Sequence, residues 1–131
     1  MAACNISGAR QLAFQGFARL SLQDLSFAHD SRRGLDERNV SRLRKIFDLE
    51  GCQRSDERNF IDVVATRVSL ASAGQDSLVQ HPVDDWARVA ILQLGPLECL
   101  TGRHRTAAAK TFLAPNERWW IARIFVDGGC P

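Results

Sequence analysis

The 131-residue sequence is most informative at first for what it lacks. Its four cysteines, at positions 4, 52, 99 and 130, lie far apart, and no C-x-x-C pair occurs. A structural metal centre built on cysteine and histidine needs closer ligands, so a zinc module is excluded as the organising feature. The reading of each cysteine is a small apolar residue of the interior. No basic start precedes an apolar run, which excludes a secretory leader, and no stretch is long and apolar enough to span a bilayer. An intracellular, reduced protein without a membrane partner is the expectation. The net charge of +2 is too small to mark a nucleic-acid or membrane binder by itself. Internal repeats and low-complexity segments are absent as well.

What is present is the composition of an ordinary globular domain, with 45% hydrophobic and 24% charged residues. Residues 1–10 read as a loose leader and 11–131 as one domain large enough to bury a core. A strand is expected around Phe17–Leu22, although the apolar residues Phe14, Phe17, Leu20, Leu22 and Leu25 alternate poorly. The clearest element is a helix. Leu35 stands as its preceding hydrophobic residue, Asp36 as its N-cap and Glu37 as a first-turn acid. Val40, Leu43, Ile46, Phe47 and Leu49 follow at helical spacing, and Gly51 is the stop. Arg38, Arg42 and Lys45 belong to its wet side, interleaved with Asp36, Glu37, Asp48 and Glu50.

Asn59–Val68 reads as a β-branched strand, and Ser69–Pro82 as a surface insertion or a short helix. Trp86–Leu94 and Leu97–Thr101 read as an antiparallel pair joined at Gly95-Pro96. A helix over His104–Leu113 and a strand over Arg118–Val126 complete the chain. Trp119 and Trp120 point to opposite faces of that strand, one expected in the core and the other exposed or over a ligand, with core or interface the favoured reading for it too. Strand, helix, strand, hairpin, helix, strand gives an α+β domain with one mixed sheet and two main helices.

The stretch that carries chemistry is the passage from Leu97–Thr101 through Gly102 into the second helix. The first N–H groups of a helix are unpaired and carry its positive dipole end. Here Arg103, His104 and Arg105 sit on that first turn, and no acidic residue occurs from Thr101 to Asn116. Such a turn suits a phosphate or another anion, with Gly102 permitting close backbone approach. A solvated basic helix start is the simpler alternative. His104 and Glu98 are the candidate catalytic groups, and no metal ligands are assigned.

The run Gly102-Arg103-His104-Arg105-Thr106-Ala107-Ala108 resembles the Gly-x-His-Arg signature of the ParB/sulfiredoxin-like superfamily. With the Gly34–Cys52 block and the Leu-Glu-Cys-Leu segment before the turn, the chain more closely resembles a fungal family of unassigned biochemical role. The resemblance spans about Leu20 to Asp127. It implies a small ParB/sulfiredoxin-like domain that places nucleotide phosphates at Gly102, His104 and Arg105, to which the basic turn itself adds Arg103. Arg33, ahead of the first helix, would assist, and the cofactor would be a nucleoside triphosphate with magnesium.

The resemblance also implies limits. Sulfiredoxins carry a reactive cysteine where this chain has Arg103, so that chemistry does not carry over. The CTP-binding branch has Gly-Glu-Arg-Arg at the turn, so neither does its nucleotide selectivity. A serine-kinase branch needs a carboxylate base, for which Glu98, Glu50 and Asp36 are available. Phosphoryl transfer or phosphodiester chemistry is the class implied for an enzyme. Two other readings stand beside it: a non-catalytic module that binds nucleic acid or a partner protein, and an inactive, truncated copy of a longer protein.

Overall fold

A computed structural model of the protein describes residues 4–7, 10–26, 36–74, 77–94 and 97–127. The architecture is α+β. A six-stranded mixed sheet is built from β1 (Cys4–Ser7), β2 (Arg10–Ser21), β3 (Leu25–Ser26), β4 (Ile61–Val64), β5 (Leu97–Cys99) and β6 (Trp119–Asp127), in the order β1-β2-β6-β4-β5-β3. The helices are α1 (Glu37–Glu50), the short α2 (Arg67–Ala73) and α3 (Arg103–Phe112). No helix among the described residues is long and apolar enough to cross a membrane.

Strand β6 lies between β2, its antiparallel partner, and β4, its parallel one. A strand flanked on both edges and covered on both faces has no wet side, which accounts for its unbroken apolar run. Trp120, Ala122, Ile124 and Val126 enter the main core with Val40, Phe47, Leu70, Ala108 and Ala109 of the three helices. The alternate residues Trp119 and Ile121 enter an aromatic cluster with Phe17, Phe60 and Trp86, and Phe125 packs with Leu12 and Val64. Both tryptophans are thus interior, as the favoured reading of the second one has it, and neither is exposed over a ligand. Trp119 is 4% accessible and Trp120 is fully buried, because this sheet has two covered faces.

The poor alternation in β2 has a local cause. Phe14 pairs with Phe125 and Gly16 with the adjacent Ile124, so Gln15 is an extra residue in the ladder. Such a bulge returns Phe14 and Phe17, three positions apart, to one face. Their rings meet edge to face at 5.2 Å. Below the bulge, Cys4–Ser7 pairs with the first residues of β2. This stretch, expected in a loose leader, is thus the edge strand β1, held by ladder bonds that its small mixed side chains do not announce.

Three further expectations change. The strand over Asn59–Val68 stops at Val64, since the Thr66 hydroxyl accepts the Ser69 N–H and opens α2, leaving Val68 76% exposed. The short helix foreseen within Ser69–Pro82 accordingly begins two residues earlier. The antiparallel pair of Trp86–Leu94 with Leu97–Thr101 does not form. Asp85 caps a 3-10 turn at Trp86–Arg88, and β5 pairs instead with β3 and β4. The apolar side chains of that segment are plugs: Trp86 fills the aromatic cluster and Leu94 the main core. Val79 and Ile91 bridge to Phe17 and Arg19, covering the half of β2 that β1 leaves open. Covering an edge in this way removes a template for strand pairing with another chain.

Helix α1 follows the sequence expectation. The Asp36 carboxylate accepts the Arg38 and Asn39 N–H groups, and Gly51 closes the helix at φ 83°. Val40 and Phe47 are buried, while Leu49, foreseen on the apolar stripe, is 84% exposed. Phe47 joins the layers, with its ring 5.7 Å from that of Phe112 on α3 and 6.3 Å from that of Trp120 in the sheet. Phe47→Ala is expected to lower unfolding free energy by about 3–5 kcal/mol, the usual range for removing a buried aromatic. Urea denaturation followed by tryptophan fluorescence measures it, and a loss below 1 kcal/mol would contradict this packing.

Candidate functional site

Strand β5 buries Leu97 and Cys99 in the main core. Its next residues stay close to the sheet: the Leu100 N–H bonds to Asp62 O at 2.8 Å, and the Thr101 hydroxyl accepts the Asp62 N–H at 2.9 Å. Gly102 then reverses the chain in the left-handed conformation, with φ 87°. A Cβ there would overlap the Ile61 side chain. Glycine is thus required twice, by its dihedral and by the approach of the turn to β4. The Thr106 hydroxyl, buried at 1% accessibility, lies 2.9 Å from Gly102 O and 3.1 Å from Arg103 O, and holds the first turn closed.

The start of α3 differs from that of the other helices. Asp36 caps α1 and Thr66 caps α2, whereas α3 opens on Gly102, which has no side chain to cap it. Its first turn instead reaches across to the start of α1, where His104 Nε2 accepts the Asp36 N–H at 3.1 Å. An accepting Nε2 carries no proton, so the one N–H of the neutral ring is on Nδ1. Two helix N-termini, each with partial positive charge, are therefore linked by one imidazole.

The predicted residues part company around this junction. Gly102, Arg103 and His104 are at the turn, with Arg103 half-buried as the first residue of α3. Arg105 points elsewhere. Its Nη1 donates to Asn59 O at 3.3 Å, the carbonyl that also accepts Trp120 Nε1 at 2.9 Å. It lines a cleft of ≈ 120 Å³ with Phe47, Glu50, Cys52 and Asn59. Glu98 pairs with Val64 in β5, so alternation sets it on the sheet face away from Leu97, Cys99 and the helices. Of the carboxylates weighed as a base, Asp36 lies at the turn but caps α1, and Glu50 lines the Arg105 cleft. Arg33 lies outside the described residues, as does the Gly95-Pro96 turn.

Metal ligation is a separate question from anion binding. Among the described residues no group of three His, Cys, Asp or Glu side chains is placed to hold a metal ion. The donors at the turn are backbone N–H groups and cations, a set that suits phosphate oxygens and not magnesium.

Sequence reasoning missed several polar elements of this region. Asn59 O is the point on which Arg105 and Trp120 converge, and a backbone carbonyl leaves no sequence signal. Trp119 lies between two guanidinium groups, Arg54 at 3.5 Å and Arg19 at 4.3 Å from its ring. Burial and the neighbouring Arg54 lower the pKa of Arg19, while Arg54 is neutralised by Glu117 at 2.8 Å. The Asp62–Arg123 pair, at 2.5 Å, joins neighbouring positions of β4 and β6. Opposite charges in two expected strands were its only advance sign.

Two outcomes follow from this geometry. Gly102→Ala should destabilise the domain by about 2–4 kcal/mol, combining left-handed strain with overpacking against Ile61. A chemical denaturation midpoint unchanged by the substitution would contradict the close approach. Cys52 is half-buried, and burial raises its thiol from 9.0 to about 11 against the opposing field of Arg54. The thiolate is the disfavoured form in the folded state, so this contribution to stability is complete below pH 9 and lost as pH rises through 11. Alkylation at Cys52, followed by peptide mass spectrometry, should be far slower at pH 7.5 in the folded protein than in urea. Equal rates would contradict the burial.

Comparison with known sequences gives one family. The description "Protein of unknown function (DUF3723) N-terminal domain" matches residues 13–130, which covers every strand but β1 and the opening of β2, and all three helices. No curated protein and no solved structure matches the chain significantly. A family match over nearly the whole sequence places the protein, and the chain belongs to the DUF3723 N-terminal domain family.

Proposed function

We propose that this domain binds a phosphate group, as part of a nucleotide, where the start of α3 meets the start of α1, in the manner of the ParB/sulfiredoxin-like domains its turn resembles. One observation carries the reading. Helix α3 opens on a left-handed glycine, without a side-chain cap among the described residues, next to the N-terminus of α1 and with Arg103 and His104 on its first turn. Uncapped N–H groups and a helix dipole favour an anion, and an arginine can engage it bidentately. The phosphate would take the place that a capping carboxylate or hydroxyl takes in α1 and α2.

The roles of the two following residues are distinct in this proposal. His104 Nε2 is engaged with the Asp36 N–H, so His104 aligns the two helix starts, and Nδ1–H is the ring donor left for a ligand. Arg105 supports the turn from behind through Asn59 O. Binding is the activity proposed, and no phosphoryl-transfer step is assigned. Glu98 stands on the far face of the sheet, and Asp36 already serves as the α1 cap. A magnesium ion arriving with a nucleoside triphosphate would share the phosphate charge, and no step is routed through it.

A thermal melt of the whole chain with ATP, CTP, ADP or inorganic phosphate, each with and without magnesium, tests this. A ligand present at about a hundred times its Kd should raise the midpoint by roughly 10 °C. Arg103→Gln should abolish most of the shift while leaving the unliganded midpoint within a few degrees. No shift with any of these anions would overturn the proposal, and an undiminished shift in the variant would remove Arg103 from the site.

A further inference from the structure

The outward side of α1 carries a second, separate feature. At about 100° per residue, Arg38, Arg42, Lys45 and Leu49 fall within about 60° of one another on the helix, opposite Val40 and Phe47. All four are exposed, whereas Val40 and Phe47 are in the core. In sequence the cations look interleaved with acids. On the helix the acids are set to the flanks, since Asp48 and Glu37 lie about 60° and 80° beyond Lys45 on one side and Glu50 about 80° beyond Arg42 on the other. The row of Arg38, Arg42 and Lys45 is therefore cationic over two turns, with Glu37 lining the groove beside Arg38 and Asp48 beside Lys45 on one flank.

The stripe is also ordered along its length. At 1.5 Å per residue the three cations stand about 6 Å and 4.5 Å apart along the axis. Arg42 Nη2 donates to Asn39 Oδ1 at 2.7 Å, which ties one guanidinium to the helix surface. Ser41, a small hydroxyl residue, lines the open groove with Arg38, Arg42, Lys45 and the flanking Glu37.

We infer that the outer face of α1 binds the phosphate backbone of a nucleic acid through Arg38, Arg42 and Lys45. A row of evenly spaced cations with small polar residues beside them complements a line of phosphates. Two of the three are arginines, whose planar donors match phosphate oxygens. An anionic membrane fits less well. An interfacial helix lays an apolar face into the lipid, and here that face is occupied by the core, with Leu49 alone left outside. The contact is to backbone phosphates and is not sequence-specific. It stands apart from the nucleotide reading, because none of its three residues belongs to the α3 turn.

The test is fluorescence anisotropy of a labelled 20-base-pair DNA duplex titrated with the full chain between 50 and 200 mM salt. Three phosphate contacts predict a log–log slope of about −2.7, or roughly a 40-fold loss of affinity over that range. Arg38→Gln, Arg42→Gln and Lys45→Gln should each reduce the slope by about one, and the triple variant should lose at least tenfold in affinity at 50 mM salt. Because all three side chains are exposed, each variant should keep the wild-type melting midpoint, and the single variants answer the question even if the triple one does not fold. Binding that is absent at 50 mM salt, or unchanged in all three single variants, overturns the inference. So does salt-dependent binding to phosphatidylserine vesicles with none to DNA, which would assign the stripe to a membrane surface.

Discussion

The structure depends most on how closely the turn before α3 approaches β4. Gly102 lies against Ile61 with no room for a side chain, in a conformation that other residues adopt only under strain. This contact fixes where α3 begins. It also sets the helix low enough on the sheet for Ala108 and Ala109, residues with almost no side chain, to reach the core. Phe47 can then bridge α1, α3 and Trp120, and His104 can reach the start of α1. A larger residue at 102 would lift the helix, and each of these contacts would lengthen together.

A second constraint is that both faces of the sheet are covered. One face carries the helices. The other is closed by the irregular segment 77–94, which contributes Trp86 and Val79 to an aromatic cluster. Polar atoms on that side are held in pairs: Arg123 with Asp62, and Arg54 with Glu117 beside the Trp119 ring. Arg19 Nε and Trp86 Nε1 are buried there without a hydrogen-bond partner among the described residues. Stacking of two guanidinium groups on Trp119 offsets part of that cost, since the flat aromatic face attracts cations that have lost water.

The basic cluster of the sequence resolves into side chains with different tasks. His104 joins two helix starts, Arg105 ties the turn to Asn59, and Arg103 opens the helix. Three adjacent residues on a helix project about 100° apart, so adjacency in sequence does not concentrate their charges at one point. The same geometry has the reverse effect on α1. There, cations four and three residues apart are gathered into one stripe, and acids that alternate with them in sequence are moved to the flanks.

Much of the fold was legible in the residues. The cap at Asp36, the spacing of Val40, Leu43 and Phe47, and the stop at Gly51 specify α1 through local hydrogen bonds and one apolar stripe. The turn at Gly102, helix α3 and strand β6 were likewise readable, because caps, breakers and continuous apolar runs act over a few residues. Of the candidate site, the position of the turn was legible, and the directions of its side chains were not. Strand pairing, the plugging role of Trp86–Leu94 and the bulge at Gln15 depend on which segments meet across long loops. A local pattern reports burial but not the partner that buries it. The sequence by itself determined α1 and α3, the mixed α+β content and the basic turn. Tertiary structure alone decided that both tryptophans are interior, that Glu98 and His104 lie on opposite sides of the sheet, and that His104 faces the start of α1. Those relations are set by strand order and by the depth at which α3 docks, and both are long-range quantities.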